Sequence, residues 1–112
     1  MEQRRTRRFQ LKLPLSITRS GGERVPFTGF TKNISSSGVL FMAEREPDLG
    51  GPIEYVINLT HEGALSVSLR CMGKVLRAEP VSAGDQSGNF QIAATLERYE
   101  FVRVARGISA SL

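Results

Sequence analysis

The side chains with the clearest chemical capability lie at the N-terminus, where four arginines fall within five positions: Arg4, Arg5, Arg7 and Arg8. A guanidinium group presents a planar fork of N–H donors that fits phosphate oxygens and the O6/N7 edge of guanine, and its flat face stacks on bases. Two arginines four residues apart, such as Arg4 and Arg8, can hold one ligand from two sides. Taken alone, the segment also fits a solvated basic tail or a tail that binds nucleic acid.

A second unusual stretch, NISSSG, spans residues 33–38 at the end of a run that alternates as a strand. The amide of Asn33 can bind a base edge, and the Ser35 hydroxyl can donate to a phosphate oxygen or a base nitrogen. Gly38 has no Cβ, so the backbone there can turn or approach a flat ligand closely. Because Asn, Ser and Gly are also common turn residues, this stretch alone is more typical of a polar turn.

Catalytic chemistry finds no support in the sequence. The only histidine, His61, and the only cysteine, Cys71, belong to no cluster with the spacing of metal ligands. Cys71 alternates in phase with Val67 and Leu69 and is predicted to be a small buried hydrophobe. The chain also lacks the glycine-rich phosphate loops of nucleotide-dependent enzymes. We therefore expect a binding protein and not an enzyme, with no metal and no resident cofactor.

Length and charge limit the class of protein. The chain has 112 residues, 40% hydrophobic and 23% charged, which fits one globular domain. It has no apolar run near the ~20 residues that span a bilayer and no signal peptide, so we expect a cytoplasmic protein without membrane insertion. Residues 1–12 carry the whole net charge of +4, because the other 100 residues are balanced. Such local charge indicates an anion site more than a long surface for nucleic acid.

Period-2 alternation of apolar and polar residues predicts an all-β fold of six short strands, arranged as an antiparallel barrel or sandwich. The predicted strands cover residues 9–17, 25–34, 38–43, 53–59, 67–75 and 90–96. Pro14 predicts either an edge strand or an outward-facing position in the first of them. Gly29 predicts a bulge or a close approach between strands, and residues 79–88 are predicted to form a loop.

The tail after the last strand is predicted to be a short C-terminal helix over residues 98–112. Tyr99 and Val102 fall at helical spacing there, and Gly107 is expected to break or end the helix.

The two polar motifs occur together, as RxxxR before the first strand and NxSxxG at the end of the second, and this pair resembles the PilZ domain family. RFQLKLPLSI is similar to the family's first strand and TKNISSSGVLFMAE to its second motif with the following strand. RCMGKVLRAE and NFQIAATLERYE are similar to its last two long strands. The resemblance implies a six-stranded antiparallel β-barrel of the split-barrel type. It divides one domain into a lead-in (1–9), the barrel (9–97) and a C-terminal helix or tail (98–112).

PilZ domains are bacterial receptors for cyclic di-GMP, so the resemblance implies this dinucleotide as the ligand. By resemblance, Arg4 and Arg8 hold guanine edges and phosphates, Asn33 and Ser35 contact a guanine, and Gly38 leaves room for the base. Most family members have Asp or Asn at the position of Asn33. An Asp accepts from both N–H groups of the guanine edge, whereas Asn offers one acceptor oxygen, and we expect Asn33 to be tolerated.

Arg5 and Arg7 are expected to make secondary contacts, with phosphates or with a second stacked nucleotide. The charged lead-in has no apolar face, so we expect it to be mobile without ligand. A dianionic dinucleotide would relieve the repulsion among its arginines and order it on the barrel, an order–disorder switch. The ordered segment would create a surface for an unidentified downstream protein.

Two alternatives stay open at this point. The first is a basic nucleic-acid-binding β-barrel. Its support is the arginine tail, but the rest of the chain is neutral and most aromatic residues fall at core or helix positions instead of forming a stacking platform. The second is a PilZ-like protein-interaction module that no longer binds nucleotide, although this chain keeps all five matched positions of the two motifs.

Overall fold

The structure, a computed structural model, describes residues 8–62, 65–81 and 89–105 of the chain. These residues include seven antiparallel strands: β1 (Pro14–Ser20), β2 (Glu23–Ile34), β3 (Gly38–Ala43), β4 (Pro52–Glu62), β5 (Leu65–Val81), β6 (Asn89–Thr95) and β7 (Arg98–Ala105). The described residues include no helix. Accordingly, this part of the chain contains no helix long and apolar enough to cross a membrane.

Six of the strands close into a barrel in the order β4-β1-β2-β3-β6-β5, and β5 pairs with β4 to complete the ring. The 17-residue β5 makes this closure possible. Residues 65–74 of β5 pair with β4, and residues 75–81 pair with β6. The predicted six-stranded antiparallel barrel is confirmed, and closure removes the unpaired edges that an open sheet of these strands would expose.

The first strand begins later than the alternation predicts. Leu15 and Ile17 are buried in the core, but Phe9 and Leu11 are 52% and 45% exposed. β1 lies between β2 and β4 and is not an edge strand. Pro14 is tolerated there because it is the exposed first residue of the strand, where its missing N–H interrupts no ladder.

Gly29 marks a close approach between strands and not a bulge. It pairs with Leu15 of β1 and Ala43 of β3 without a shift in register. A Cβ at this position would collide with the carbonyl oxygen of Met42 on β3. The irregularity of β2 lies a few residues further on, at Lys32.

The prediction of a C-terminal helix is wrong over the described residues, because Arg98–Ala105 forms β7 and pairs with Leu65 to Met72 of β5. The sequence RYEFVRVA alternates with period 2 and is rich in aromatic and β-branched residues, which favour a strand. The first half of β5 has β4 on one side only, so it offers its other edge to this segment. Residues 106–112, with the predicted helix end at Gly107, lie outside the described residues.

The loop predicted over residues 79–88 begins later than expected. β5 continues to Val81, and residues 82–88 lie outside the described residues.

The barrel interior is filled by alternate residues of every strand in the ring. Its fully buried large side chains include Tyr55, Phe41, Leu15, Ile17, Ile57, Ile92 and Val75. Cys71 is buried among them, as its alternation with Val67 and Leu69 predicts. Burial raises the pKa of the Cys71 thiol to about 12.

Candidate functional site

The lead-in is fastened to the end of β2. Phe9 exchanges two backbone hydrogen bonds with Ile34, at 2.8 and 2.9 Å. Further along, the buried Thr31 hydroxyl donates to the Leu11 carbonyl and accepts from the Leu13 N–H at 2.9 Å. A buried hydroxyl with both partners satisfied is a stable anchor. These bonds hold the segment before β1 along β2, so that Arg8 lies beside the NISSSG turn.

The NISSSG turn is closed by its first serine, Ser35. The Ser35 hydroxyl oxygen accepts the N–H of Ser37 at 3.3 Å and the N–H of Gly38 at 3.2 Å. The Ser35 N–H donates to the Gly38 carbonyl at 2.9 Å, which joins β2 to β3. Ser and Asn commonly form such local turns by bonding the backbone a few residues on. Ser35 therefore shapes the loop in addition to being a candidate ligand contact.

The packing of β3 against β6 also explains why residue 38 is glycine. A Cβ at this position would lie 2.9 Å from the carbonyl oxygen of Ala94, a backbone atom of the neighbouring β6. Glycine is required here because β3 and β6 approach closely where Gly38 pairs with Thr95. The space for a base at Gly38 stays a prediction.

Four of the predicted site residues line one groove of about 360 Å³ on the outside of the barrel. Arg8, Asn33, Ser35 and Gly38 lie at its β2–β3 end, and the remaining lining residues are Ser37, Val39, Leu40, Leu76, Arg77, Ala93 and Ala94. The predicted residues Arg4, Arg5 and Arg7 lie outside the described residues. Arg8 of the first motif and all three residues of the second thus converge on one surface.

One wall of the groove owes its orientation to a β-bulge in β2. Thr31 pairs with Phe41 and Asn33 pairs with Leu40, so Lys32 is an extra residue in β2. The Thr31 side chain is fully buried. Regular alternation would point Asn33 into the core as well, because residues two apart face the same side of a strand. The bulge reverses this phase and brings Asn33 into the groove.

A second bulge, in β5, builds the opposite wall. Val75 pairs with Ala94 and Arg77 pairs with Ala93, so Leu76 is the extra residue. Val75 is buried, and without the bulge Arg77 would follow it into the core. Instead Arg77 and Leu76, which is 60% exposed, both line the groove.

The groove floor is one row of paired residues across four strands. Asn33 pairs with Leu40, Leu40 with Ala93, and Ala93 with Arg77. Three strand spacings separate the ends of the row by about 14 Å along the sheet. The polar residues stand at the ends and the smaller apolar ones between them, which gives a flat floor with hydrogen-bonding groups at its margins.

The charge of the groove favours an anion. Its lining includes two guanidinium groups, Arg8 and Arg77, and no carboxylate. A larger groove of about 470 Å³, on β1, β4 and β5, mixes Arg19 and Arg98 with Glu54 and other charged residues. Glu54 there is within 3.9 Å of Arg19 and 3.4 Å of Arg70, so these charges already neutralise one another. The smaller groove is the better candidate for a phosphate-containing ligand.

Leu76, Arg77 and Ala93 were not among the residues that the sequence singled out. They belong to the wall opposite both motifs, more than 35 positions later in the chain. One signal was available in β5, where the buried positions 71, 73 and 75 would be followed in phase by a charged arginine. A charge at an inward position indicates that the alternation has shifted.

Comparison with known proteins indicates the family to which this chain belongs. A search of curated proteins found no match to this chain. The family model of the PilZ domain matches residues 2–104, which include both motifs, the first six strands and all of β7 except its last residue, Ala105. PilZ domains are a family of cyclic di-GMP receptors, which bind and do not catalyse. Since the match extends over nearly the whole chain, the protein belongs to the PilZ domain family.

Proposed function

We propose that this domain binds cyclic di-GMP in the groove formed by β2, β3, β5 and β6 and passes the signal to a partner protein in the bacterial cytoplasm. One observation carries the proposal. Arg8, Asn33, Ser35 and Gly38, which come from two separate motifs, line a single groove that has no carboxylate among its lining residues. Family membership supplies the identity of the ligand.

The groove offers suitable donors for a dianionic dinucleotide. The Arg8 guanidinium can donate two N–H groups to a phosphate or to the O6/N7 edge of guanine. The Asn33 amide can accept from one N–H group of guanine and donate to a second acceptor. The exposed Leu76 side chain offers an apolar surface for a base, and Arg77 adds a positive charge from the far wall.

The signal in this proposal comes from the N-terminal segment. Because Phe9 is already fastened to Ile34, the part of the lead-in that the ligand would order lies before Phe9. Arg4 would complete the RxxxR clamp from this segment, and Arg5 and Arg7 would contact phosphates or a second nucleotide. The segment and the ligand together would form the surface that the unidentified downstream protein reads.

Calorimetric titration with cyclic di-GMP at physiological salt tests the binding step, with GTP and cyclic di-AMP as competitors for specificity. Arg8→Ala removes charge-assisted hydrogen bonds worth about 1.5–3 kcal/mol, so we expect affinity to fall by about 10- to 150-fold. The matched control is Arg24→Ala, which removes an exposed arginine of β2 outside the groove. A folded wild-type domain that does not bind cyclic di-GMP would refute the proposal.

The ordering step needs a separate measurement. Hydrogen exchange at the amides of residues 2–8 should slow on addition of cyclic di-GMP, while exchange in β1 stays unchanged. Binding without slower exchange would retain the receptor function and reject the switch. Binding that depends steeply on salt and ignores nucleotide identity would instead indicate a nucleic-acid-binding barrel.

A further inference from the structure

β7 is an edge strand with few of the usual protections. Among the described strands it pairs with β5 alone, in an unbroken register from Leu65↔Ala105 to Met72↔Arg98. Natural edge strands are commonly blunted by charged side chains, especially lysine, by proline, by a bulge or by very short length, and of these β7 has only charged side chains, none of them lysine. The eight residues RYEFVRVA contain no proline, glycine or lysine and pair without a bulge. The far edge of β7 is therefore a regular template for another strand.

Two aromatic rings stand exposed on one face of this strand. Tyr99 is 59% and Phe101 63% exposed, and the rings meet edge to face with their centroids 6.2 Å apart. Tyr99 pairs with Cys71 of β5, which belongs to the barrel core. Phe101 pairs with Leu69, which packs against that core. Exposed aromatic residues that adjoin a core are typical of contact surfaces.

The other face of β7 carries charges of opposite sign two residues apart, Arg98 and Glu100. Arg70 of β5 lies 2.9 Å from the Glu100 carboxylate, but the Glu100 side chain remains 54% exposed and can accept further hydrogen bonds. No ion pair involves Arg98 among the described residues. Among the described residues, this face of β7 therefore presents an arginine without an ion pair beside a glutamate that can accept further hydrogen bonds.

These charges select one way of pairing β7 with itself. In an antiparallel pair related by a two-fold axis, opposite residues have a constant sum of residue numbers. An axis at Tyr99 places Arg98 of each copy opposite Glu100 of the other, and the two Tyr99 rings face each other. An axis at Glu100 sets two carboxylates opposite each other, and an axis at Phe101 pairs Glu100 with Val102. Among pairings of β7 residues with one another, only the Tyr99 axis gives two opposite-charge pairs and no like-charge pair, and opposite-charge pairs stabilise a sheet.

We propose that β7 pairs edge to edge with β7 of a second copy around a two-fold axis at Tyr99. The resulting sheet runs β4-β5-β7-β7-β5-β4 through the dimer. The paired stretch is limited to about residues 97–101, because β7 begins at Arg98 and the chain just before it belongs to β6, which ends at Thr95 and already pairs within the barrel. An interface of this length falls below ~1,200 Å² and forms a weak, reversible dimer. The interface lies on a different surface from the groove and does not depend on a ligand.

Sedimentation equilibrium of the whole chain without nucleotide tests this pairing. We expect wild type to dimerise reversibly as concentration rises. Arg98→Glu and Glu100→Arg should each be monomeric over the same range, because each variant places like charges opposite each other twice. An equimolar mixture of the two variants should form a heterodimer, since two carboxylates of one chain then face two guanidinium groups of the other.

The controls separate this pairing from misfolding and from other contacts. Urea denaturation should show both variants folded, and Arg98→Glu is the stricter test because Arg98 has no ion pair to lose in the described structure. Arg24→Glu makes the same change of charge on β2 and should dimerise like wild type. Wild type that stays monomeric throughout, variants that dimerise normally, or a mixture that stays monomeric would each overturn the proposal.

Discussion

Tyr55→Phe tests whether one buried hydrogen bond supports the barrel beneath the groove. The Tyr55 side chain is fully buried, and its hydroxyl donates to the Thr95 carbonyl at 3.0 Å. Burial, with smaller contributions from Cys71 and Glu97, raises the pKa of the Tyr55 phenol far above its ordinary value, so the hydroxyl stays a donor. Thr95 is the residue that pairs with Gly38 at the end of the groove.

The expected cost follows from what the substitution removes. The aromatic ring is retained, together with its tilted contact to Phe41 at 5.6 Å, so no large cavity forms. Loss of the hydroxyl leaves the Thr95 carbonyl without this donor, beside a ring that is fully buried. A neutral hydrogen bond contributes about 1 kcal/mol, and an unsatisfied buried acceptor costs about 1–3 kcal/mol. We expect the free energy of unfolding to fall by about 1–2 kcal/mol.

Urea denaturation followed by circular dichroism measures this difference. The matched control is Tyr99→Phe, which removes the same hydroxyl from an exposed ring and should change stability by less than about 0.5 kcal/mol. The midpoint should shift without a change in slope, because the surface exposed on unfolding is the same. If Tyr55→Phe is as stable as Tyr99→Phe, the Tyr55–Thr95 bond does not support the barrel and the reasoning fails.

Three further predictions concern stability and the anchoring of the lead-in. Because burial raises the pKa of Cys71 from about 9 to about 12, the unfolded thiol ionises first. The free energy of unfolding of wild type should fall by up to about 1.4 kcal/mol per pH unit above pH ~9, relative to that of Cys71→Ala. Urea titrations at pH 8 and pH 10 measure this difference, and an equal change in both proteins would contradict it. Thr31→Val should speed hydrogen exchange at the Leu13 amide and weaken nucleotide binding; unchanged exchange would show that Thr31 is no anchor. Gly73→Ala places a Cβ against the Thr95 carbonyl and should lower the free energy of unfolding by about 2 kcal/mol or more. Urea denaturation measures this, and an unchanged midpoint would contradict the predicted clash.

Local sequence was sufficient where a strand has clear turn signals at both ends. β3 was predicted with its observed bounds, residues 38–43, because NISSSG precedes it and a polar segment follows it. β7 could not be predicted in the same way, because Tyr99 and Val102 fit a helix while RYEFVRVA also fits a strand. The free edge of β5 decided between them, and that edge follows from the pairing of β5 with β4 and β6, which the residues of β7 do not encode.

The motifs predicted one side of the candidate site and not the other. Asn33, Ser35 and Gly38 are adjacent in the chain, and the pairing of Phe9 with Ile34 brings Arg8 to them. Arg77 reaches the same groove only through the pairing of β5 with β6 and of β6 with β3. Such long-range register is not encoded in the spacing of either motif.

The two bulges explain why the groove lies where it does. Without a bulge in β2, Asn33 would face the core like the buried Thr31 two residues before it. Without a bulge in β5, Arg77 would face the core like the buried Val75. A buried amide or guanidinium without partners is costly, so each sequence favours an extra residue that turns the polar side chain outward. Lys32 and Leu76 are those residues, and the pairs that follow them belong to one row across the sheet. The groove therefore lies where the bulges in β2 and β5 change which side chains face outward. Bulges commonly redirect functional side chains in this way.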